Sequence, residues 1–150
     1  MFSDRVDAGQ QLALKLDRYR SDDVVVVGLP RGGVPVAREV ALALQAPLDV
    51  IIVRKLGVPF QPELAMGAIG EGGVRVIDNE VARGFGVSRK DLATVEQRER
   101  HELERRSQKL RSIREQIPLA GRVVLVVDDG IATGSTARAA CRVARAGGAA

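Results

Sequence analysis

The sequence predicts an α/β domain built on a mainly parallel sheet flanked by helices. Three observations carry that expectation. Residues 24–27, 48–53 and 122–127 are short, nearly continuous aliphatic runs, the pattern of strands buried on both faces. The first and third lead through glycine-bearing turns into helical periodicity, the alternation that builds parallel sheets. Aromatics make up only 3% of the chain, with no Trp and one Tyr, so the core must be packed from Val, Leu, Ile and Ala.

Residues 4–20 read as a first helix with Leu12, Leu16 and Tyr19 on one side. The run Val24-Val25-Val26-Val27 follows and ends abruptly in Gly28-Leu29-Pro30-Arg31-Gly32-Gly33. Pro35 suits the first turn of the next helix, where a missing N–H is harmless. Val36, Val40, Ala41 and Leu44 form the buried side of that helix, and Pro47 closes it. The strand at 48–53 completes a β-α-β unit. Arg54-Lys55-Leu56-Gly57-Val58-Pro59 reads as a mobile loop. Residues 64–69 and 74–77, separated by Gly70-Glu71-Gly72-Gly73, read as a β-hairpin, with Asp78 and Asn79 at its end. A long charged helix then fills 89–115 and stops by Pro118, so the hairpin and this helix are inserted into the parallel framework. The strand at 122–127 runs into residues 128–136, and an Ala-rich helix extends to about residue 146.

At 150 residues the chain is expected to form a single domain, burying about 68–70% of its unfolded surface. No apolar run approaches the roughly 20 residues a membrane span needs, and MFSDRVDAGQ is no secretory signal. A lone cysteine, Cys141, excludes a disulfide framework and fits a reducing cytoplasm; in its Ala-rich helix it reads as a packing residue. The net charge is +4, and the 89–115 stretch holds nine bases and six acids. Glu96–Arg100 and Glu102–Arg106 stand in the favourable i,i+4 order over a thin stripe of Val95, Leu103, Leu110, Ile113 and Ile117. Mixed signs without interleaved aromatics favour a solvated helix over a nucleic-acid-binding one. His101 lacks any neighbour at metal-ligand spacing, and Glu63 and Glu71 read as loop charges. Arg138, Arg142 and Arg145 share one solvated side of the last helix, with Arg138 the one in reach of a phosphate.

The chemistry concentrates after the third strand. Two adjacent carboxylates, Asp128 and Asp129, can accept hydrogen bonds from vicinal sugar hydroxyls or hold Mg²⁺ through water. Thr133-Gly134-Ser135-Thr136 then opens a helix, whose N–H groups, dipole and three hydroxyls form a phosphate cradle. Gly130 and Gly134 allow the tight backbone. A turn or a simple helix cap does not require two acids, two glycines and three hydroxyls within nine residues. The loop is neither a Walker A motif nor a Gly-x-Gly-x-x-Gly fingerprint.

The segment Val123-Val124-Leu125-Val126-Val127-Asp128-Asp129-Gly130-Ile131-Ala132-Thr133-Gly134-Ser135-Thr136 resembles the signature of type I phosphoribosyltransferases. Gly28-Leu29-Pro30-Arg31-Gly32-Gly33 resembles that family's pyrophosphate loop, and Arg54-Lys55 the start of its mobile catalytic loop. Order and spacing agree from about residue 24 to 146. More narrowly, the chain resembles a bacterial branch of phosphoribosyltransferase-like domains. The resemblance implies a type I phosphoribosyltransferase-like fold and Mg²⁺-dependent transfer of phosphoribosyl from phosphoribosyl pyrophosphate to a nucleobase-like acceptor, with release of pyrophosphate. It assigns Asp128 and Asp129 to the ribose hydroxyls and the metal. Thr133, Gly134, Ser135 and Thr136, with Gly130 and the backbone of Ile131 and Ala132, go to the 5′-phosphate. Arg31, Gly32 and Gly33 go to the pyrophosphate in a loop that often holds a cis peptide, and Arg54 and Lys55 to closure over it. Asp128, Asp129, Arg31 and Lys55 are the implied catalytic set.

In that family a further core strand and acceptor-recognition residues follow the last helix. With the chain ending at Gly147-Gly148-Ala149-Ala150, a member truncated at its C-terminus is expected, with an exposed sheet edge that favours a homodimer. A second reading keeps the sugar-phosphate loop in a regulatory module without catalysis.

Overall fold

In the computed structural model, which describes residues 1–131 and 134–150, the elements run in chain order as follows. The first are α1 (Arg5–Lys15), β1 (Val24–Gly28), α2 (Gly33–Leu44) and β2 (Leu48–Val50). Then come β3 (Val53–Val58), β4 (Gln61–Gly70), β5 (Arg75–Ile77), α3 (Asn79–Gly84) and α4 (Arg89–Arg111). β6 (Val123–Val127) and α5 (Ser135–Ala146) complete the chain order. The chain divides into two units, Met1–Ile51 with Gln116–Ala150, and Ile52–Glu115. No helix among the described residues is long and apolar enough to cross a membrane.

The first unit holds a parallel sheet of order β2-β1-β6 among the described residues. Every residue of β1 is buried, as expected for a valine run with a strand on either side. The sequence predicts the same burial for β6, but Val123 to Val126 are only half-buried, because among the described residues this strand pairs on one edge alone. The run at 48–53 is shared between two sheets. β2 stops at Val50, Ile51 donates its N–H to the Gly28 carbonyl at 3.1 Å, and Val53 opens β3.

Val24 and Val26 pack with Val36, Ala37, Val40, Ala41 and Leu44 of α2, with Ala13 of α1 and with Val127. Gly9 lets α1 lie against α2, since a Cβ there would meet Glu39 Cβ at 2.6 Å and the Val36 carbonyl at 2.8 Å. Buried Asp49 accepts hydrogen bonds from the N–H groups of Val50 (2.8 Å) and Ile117 (3.0 Å), tying β2 to the segment that approaches β6.

In the second unit β3, β4 and β5 form an antiparallel sheet, so the 64–69/74–77 hairpin is present. The expected mobile loop at 54–59 is not: residues 53–58 are β3, and Leu56 and Val58 are fully buried. The charges of Arg54 and Lys55 disguise a strand in which alternate residues face a core. Asp78 likewise caps α3, accepting from the Val81 N–H at 3.2 Å. The charged helix ends at Arg111 rather than near Pro118, which leaves Ile113 81% exposed and outside the stripe, while Val95 and Leu103 are buried.

The charges of α4 do more than solvate a face. Glu99 meets Arg54 of β3 at 2.7 Å, and Glu96 meets Arg75 of β5 at 2.8 Å and Arg100 at 3.2 Å. Glu71, a loop charge by its sequence, is buried and receives Arg111 at 2.7 Å and the Ser107 hydroxyl at 2.6 Å. His101 is exposed, and so is Cys141, contrary to its expected packing role.

Glu71→Ala should destabilise the chain by about 3 kcal/mol in urea titrations, because a largely buried guanidinium loses its carboxylate. Glu96 is held below its ordinary 4.5: burial opposes this, but hydrogen bonds from Arg75 and Arg100 prevail. A lowered folded-state value gives stability above pH 4.5 that is lost as pH falls through it. Wild-type denaturation midpoints should therefore fall more steeply below pH 4.5 than those of Glu96→Gln.

Candidate active site

β1 and β6 pair in parallel with Gly28 opposite Val127, so the loops that follow them leave the same end of the sheet. Carboxyl ends of parallel strands are where open α/β sheets bind ligands. The Leu29 N–H donates to the Val127 carbonyl at 2.9 Å, and the Gly33 N–H to the Leu29 carbonyl at 2.9 Å. Two glycines then bring the first loop against the second. A Cβ on Gly33 would lie 2.7 Å from the Val127 carbonyl oxygen and 2.9 Å from Asp128 Cα. A Cβ on Gly32 would fall on the Asp129 carboxylate. The Pro30–Arg31 peptide is cis, and Arg31 is exposed.

Asp128 and Asp129 stand at the end of β6. The Asp129 N–H donates to Asp128 Oδ1 at 2.8 Å. Arg5 approaches from α1, its Nη2 3.0 Å and its Nε 3.3 Å from Asp129 Oδ2. Partial burial pushes the Asp128 carboxyl up, and the charge of Asp129 adds to this. The Arg5 guanidinium holds Asp129 below the usual carboxylate range. The pair is therefore unequal: Asp129 is the firmly ionised member, and Asp128 the more basic one.

Gly134 takes a left-handed conformation (φ 80°) and caps α5. A pocket of about 180 Å³ opens there, lined by Asp128, Gly130, Ile131, Gly134, Ser135, Thr136 and Ala137. It joins one carboxylate to the start of a helix, where backbone N–H groups and the helix dipole favour an anion. The Arg138 guanidinium lies nearby, 3.5 Å from where a Gly134 Cβ would sit.

Most of the residues singled out in the sequence thus converge. Arg31, Gly32, Asp128, Asp129, Gly130, Ile131 and Gly134 lie in the two loops at this sheet end, and Gly33, Ser135 and Thr136 open the helices that follow them. Ala132 and Thr133 lie outside the described residues. Arg54 and Lys55 belong to the second unit, on β3, with Arg54 paired to Glu99. Arg5 is invisible to sequence reasoning, since 124 residues separate it from its partner and no local pattern marks it.

No group of three or more His, Cys, Asp or Glu side chains suited to a metal occurs among the described residues. The two adjacent carboxylates, Asp128 and Asp129, have the oxygen donors that would suit a hydrated Mg²⁺ held through water.

A model of the phosphoribosyl transferase domain family matches residues 63–150. A Mycobacterium tuberculosis H37Rv protein named "Putative phosphoribosyl transferase Rv0571c" is 60% identical over 149 residues, 99% of this chain. Its counterpart in the CDC 1551 strain matches equally. The chain spans about a third of these relatives' length, 34%. The crystal structure of TT1426 from Thermus thermophilus has a TM-score of 0.90 at 42% identity, covering 99% of this chain and 70% of that one. A purine phosphoribosyltransferase from Pyrococcus horikoshii Ot3 shares the fold, with a TM-score of 0.50 at 24% identity over 97% of this chain and 66% of its own.

Gly33→Ala forces a methyl into β6 main chain and should cost about 1–3 kcal/mol. Gly32→Ala meets only a carboxylate tip and should melt close to wild type. Thermal melts of the two variants check the difference; equal losses would mean that the Asp129 side chain cannot move aside.

Proposed function

Because the chain belongs to the phosphoribosyl transferase domain family, we propose that it transfers phosphoribosyl from phosphoribosyl pyrophosphate to a nitrogenous acceptor of the nucleobase class, releasing pyrophosphate with Mg²⁺. The observation that carries this reading is the meeting of three features at one sheet end. These are the Asp128–Asp129 pair, the Gly32-Gly33 backbone laid against it, and the start of α5 beside the same pocket. The nucleobase class is also that of the Pyrococcus protein, which is named for purines.

In this mechanism Asp128 and Asp129 accept hydrogen bonds from the ribose 2′- and 3′-hydroxyls. Gly134, Ser135 and Thr136, with Thr133, Gly130 and the backbone of Ile131 and Ala132, receive the 5′-phosphate at the helix start. Arg31, Gly32 and Gly33 hold the pyrophosphate. A nitrogen lone pair of the acceptor forms the new bond to the anomeric carbon. The bond from that carbon to pyrophosphate breaks, and its electron pair leaves with the pyrophosphate. The proton displaced from the acceptor passes to solvent. Positive charge develops on the sugar ring near the two carboxylates, so the chain contributes mainly positioning and charge stabilisation. Mg²⁺ would neutralise the leaving group, held through water by Asp128 and Asp129. The proposed setting is the cytoplasm, with small-molecule partners rather than nucleic acid.

A second reading, a sugar-phosphate-binding regulatory module without catalysis, is favoured by one observation: Arg54, which the family resemblance assigns to closure over the pyrophosphate, lies in β3 paired with Glu99 at 2.7 Å.

Calorimetric titration of phosphoribosyl pyrophosphate, with and without Mg²⁺, tests both readings. Saturable, Mg²⁺-dependent binding is expected, lost in an Asp128→Asn/Asp129→Asn double variant of unchanged circular dichroism. Unchanged affinity in that variant would overturn the site. Binding without pyrophosphate release across a panel of nucleobases would select the regulatory reading.

A further inference from the structure

We propose that Arg5 is an additional substrate-binding residue, holding Asp129 while the site is empty and turning its guanidinium onto the diphosphate when the sugar diphosphate enters. The inference rests on the function proposed above and adds to its binding set a residue from the opposite end of the chain.

Three features of the structure carry it. First, the backbone of Arg5 is fixed. It opens α1, which Asp4 caps with a 2.8 Å hydrogen bond from the Asp7 N–H, and Gly9 and Ala13 hold that helix against α2. Because α2 begins at Gly33, immediately after the Arg31–Gly32 turn, packing on α2 brings the start of α1 to that turn. Second, the Arg5 guanidinium, the Asp129 carboxylate and the Gly32 backbone meet at one place. Arg5 Nη2 lies 3.0 Å from Asp129 Oδ2, the same oxygen on which a Gly32 Cβ would fall. Third, the present pair is exchangeable. The two side chains are 59% and 37% exposed, and exposed ion pairs hold weakly.

A diphosphate is the better partner for this guanidinium. It carries more charge than one carboxylate and offers oxygens to more than one N–H of the fork. Two adjacent carboxylates would repel such an anion, and a cation beside Asp129 relieves that repulsion. When Asp129 turns to the sugar hydroxyls it releases Arg5, and the diphosphate arriving over Gly32 replaces the lost partner. The exchange keeps the Arg5 guanidinium paired with an anion at both stages.

The test titrates phosphoribosyl pyrophosphate and ribose 5-phosphate separately into wild type, Arg5→Gln and Arg5→Lys, with Mg²⁺ constant and folding checked by thermal melts. Arg5→Gln should weaken phosphoribosyl pyrophosphate by about tenfold to a hundredfold, the worth of a hydrogen bond to a charged group. It should leave ribose 5-phosphate, which lacks the diphosphate, nearly unchanged, and Arg5→Lys should fall between. Equal weakening of both ligands would mean that Arg5 acts only by arranging Asp129, and this would overturn the assignment. So would unchanged phosphoribosyl pyrophosphate affinity in Arg5→Gln when wild type binds. Wild type that binds neither ligand would overturn the proposed function itself, and the assignment with it.

Discussion

The parallel pairing of β1 with β6 is the constraint on which the site depends. These strands lie 99 residues apart at their first matched pair, Val24 with Val123, yet they run in register to Gly28 and Val127. That register puts the Pro30–Gly33 turn and the Asp128–Asp129 pair at one height above the sheet. The Leu29 N–H to Val127 carbonyl bond continues the ladder one step beyond the strands and fixes the two loops to each other. Gly33 then allows the first loop to meet the main chain at Val127 and Asp128, and Gly32 lets it meet the Asp129 carboxylate where that side chain stands. A sugar carrying one phosphate at C5 and a diphosphate at C1 needs two anion sites on either side of a hydroxyl-binding pair, and the proposed site draws that arrangement from this register.

The electrostatics of the site follow from the same packing. Asp128 is partly buried where β6 ends, so desolvation and its neighbour's charge raise its proton affinity. Asp129 is outside that shelter, and Arg5 keeps it ionised. One helix, α1, contributes nothing to the sheet, but its close contact with α2 through Gly9 delivers the cation that balances the pair. Packing far from the chemistry therefore decides the charge at the chemistry.

The second unit uses charge differently. Its sheet carries Arg54 and Arg75, the β4–β5 connection carries Glu71, and α4 presents Glu99, Glu96 and Arg111 to them. Where both partners are substantially buried, as with Glu71 and Arg111, the pairing specifies how helix and sheet meet more than it adds net stability. The thin apolar stripe of α4 is sufficient for that reason: Val95 and Leu103 anchor the helix, and ion pairs set its position along the sheet. The surface pairs Glu102–Arg105 and Glu102–Arg106 are of another kind. They hold Glu102 down to about 2, but the exposed Arg105 and Arg106 leave the pairs screened by solvent.

Local chemistry makes much of this molecule legible in the sequence. Runs of valine specify a buried parallel strand because no other element hides so many β-branched side chains in succession. Two acids, two glycines and three hydroxyls packed behind such a strand point to the proposed anion and sugar site, because each type answers a separate need of that ligand. The residues from 128 to 136 and the turn at 28–33 are therefore recognisable from sequence. Legibility fails where a residue's role depends on a distant partner. Residues 54–59 read as a loop because Arg54 and Lys55 are charged, and only the neighbouring β4 and the Glu99 carboxylate give those charges a place in a sheet. The half-buried state of β6 depends on which strands it pairs with, which composition does not encode. Arg5 carries no signal at all. The sequence by itself determined which loop concentrates acids, glycines and hydroxyls behind a strand, because that pattern is local. Only the tertiary structure decided which cation faces it, because an ion pair across 124 residues exists only once α1, α2 and the β1–β6 ladder have packed.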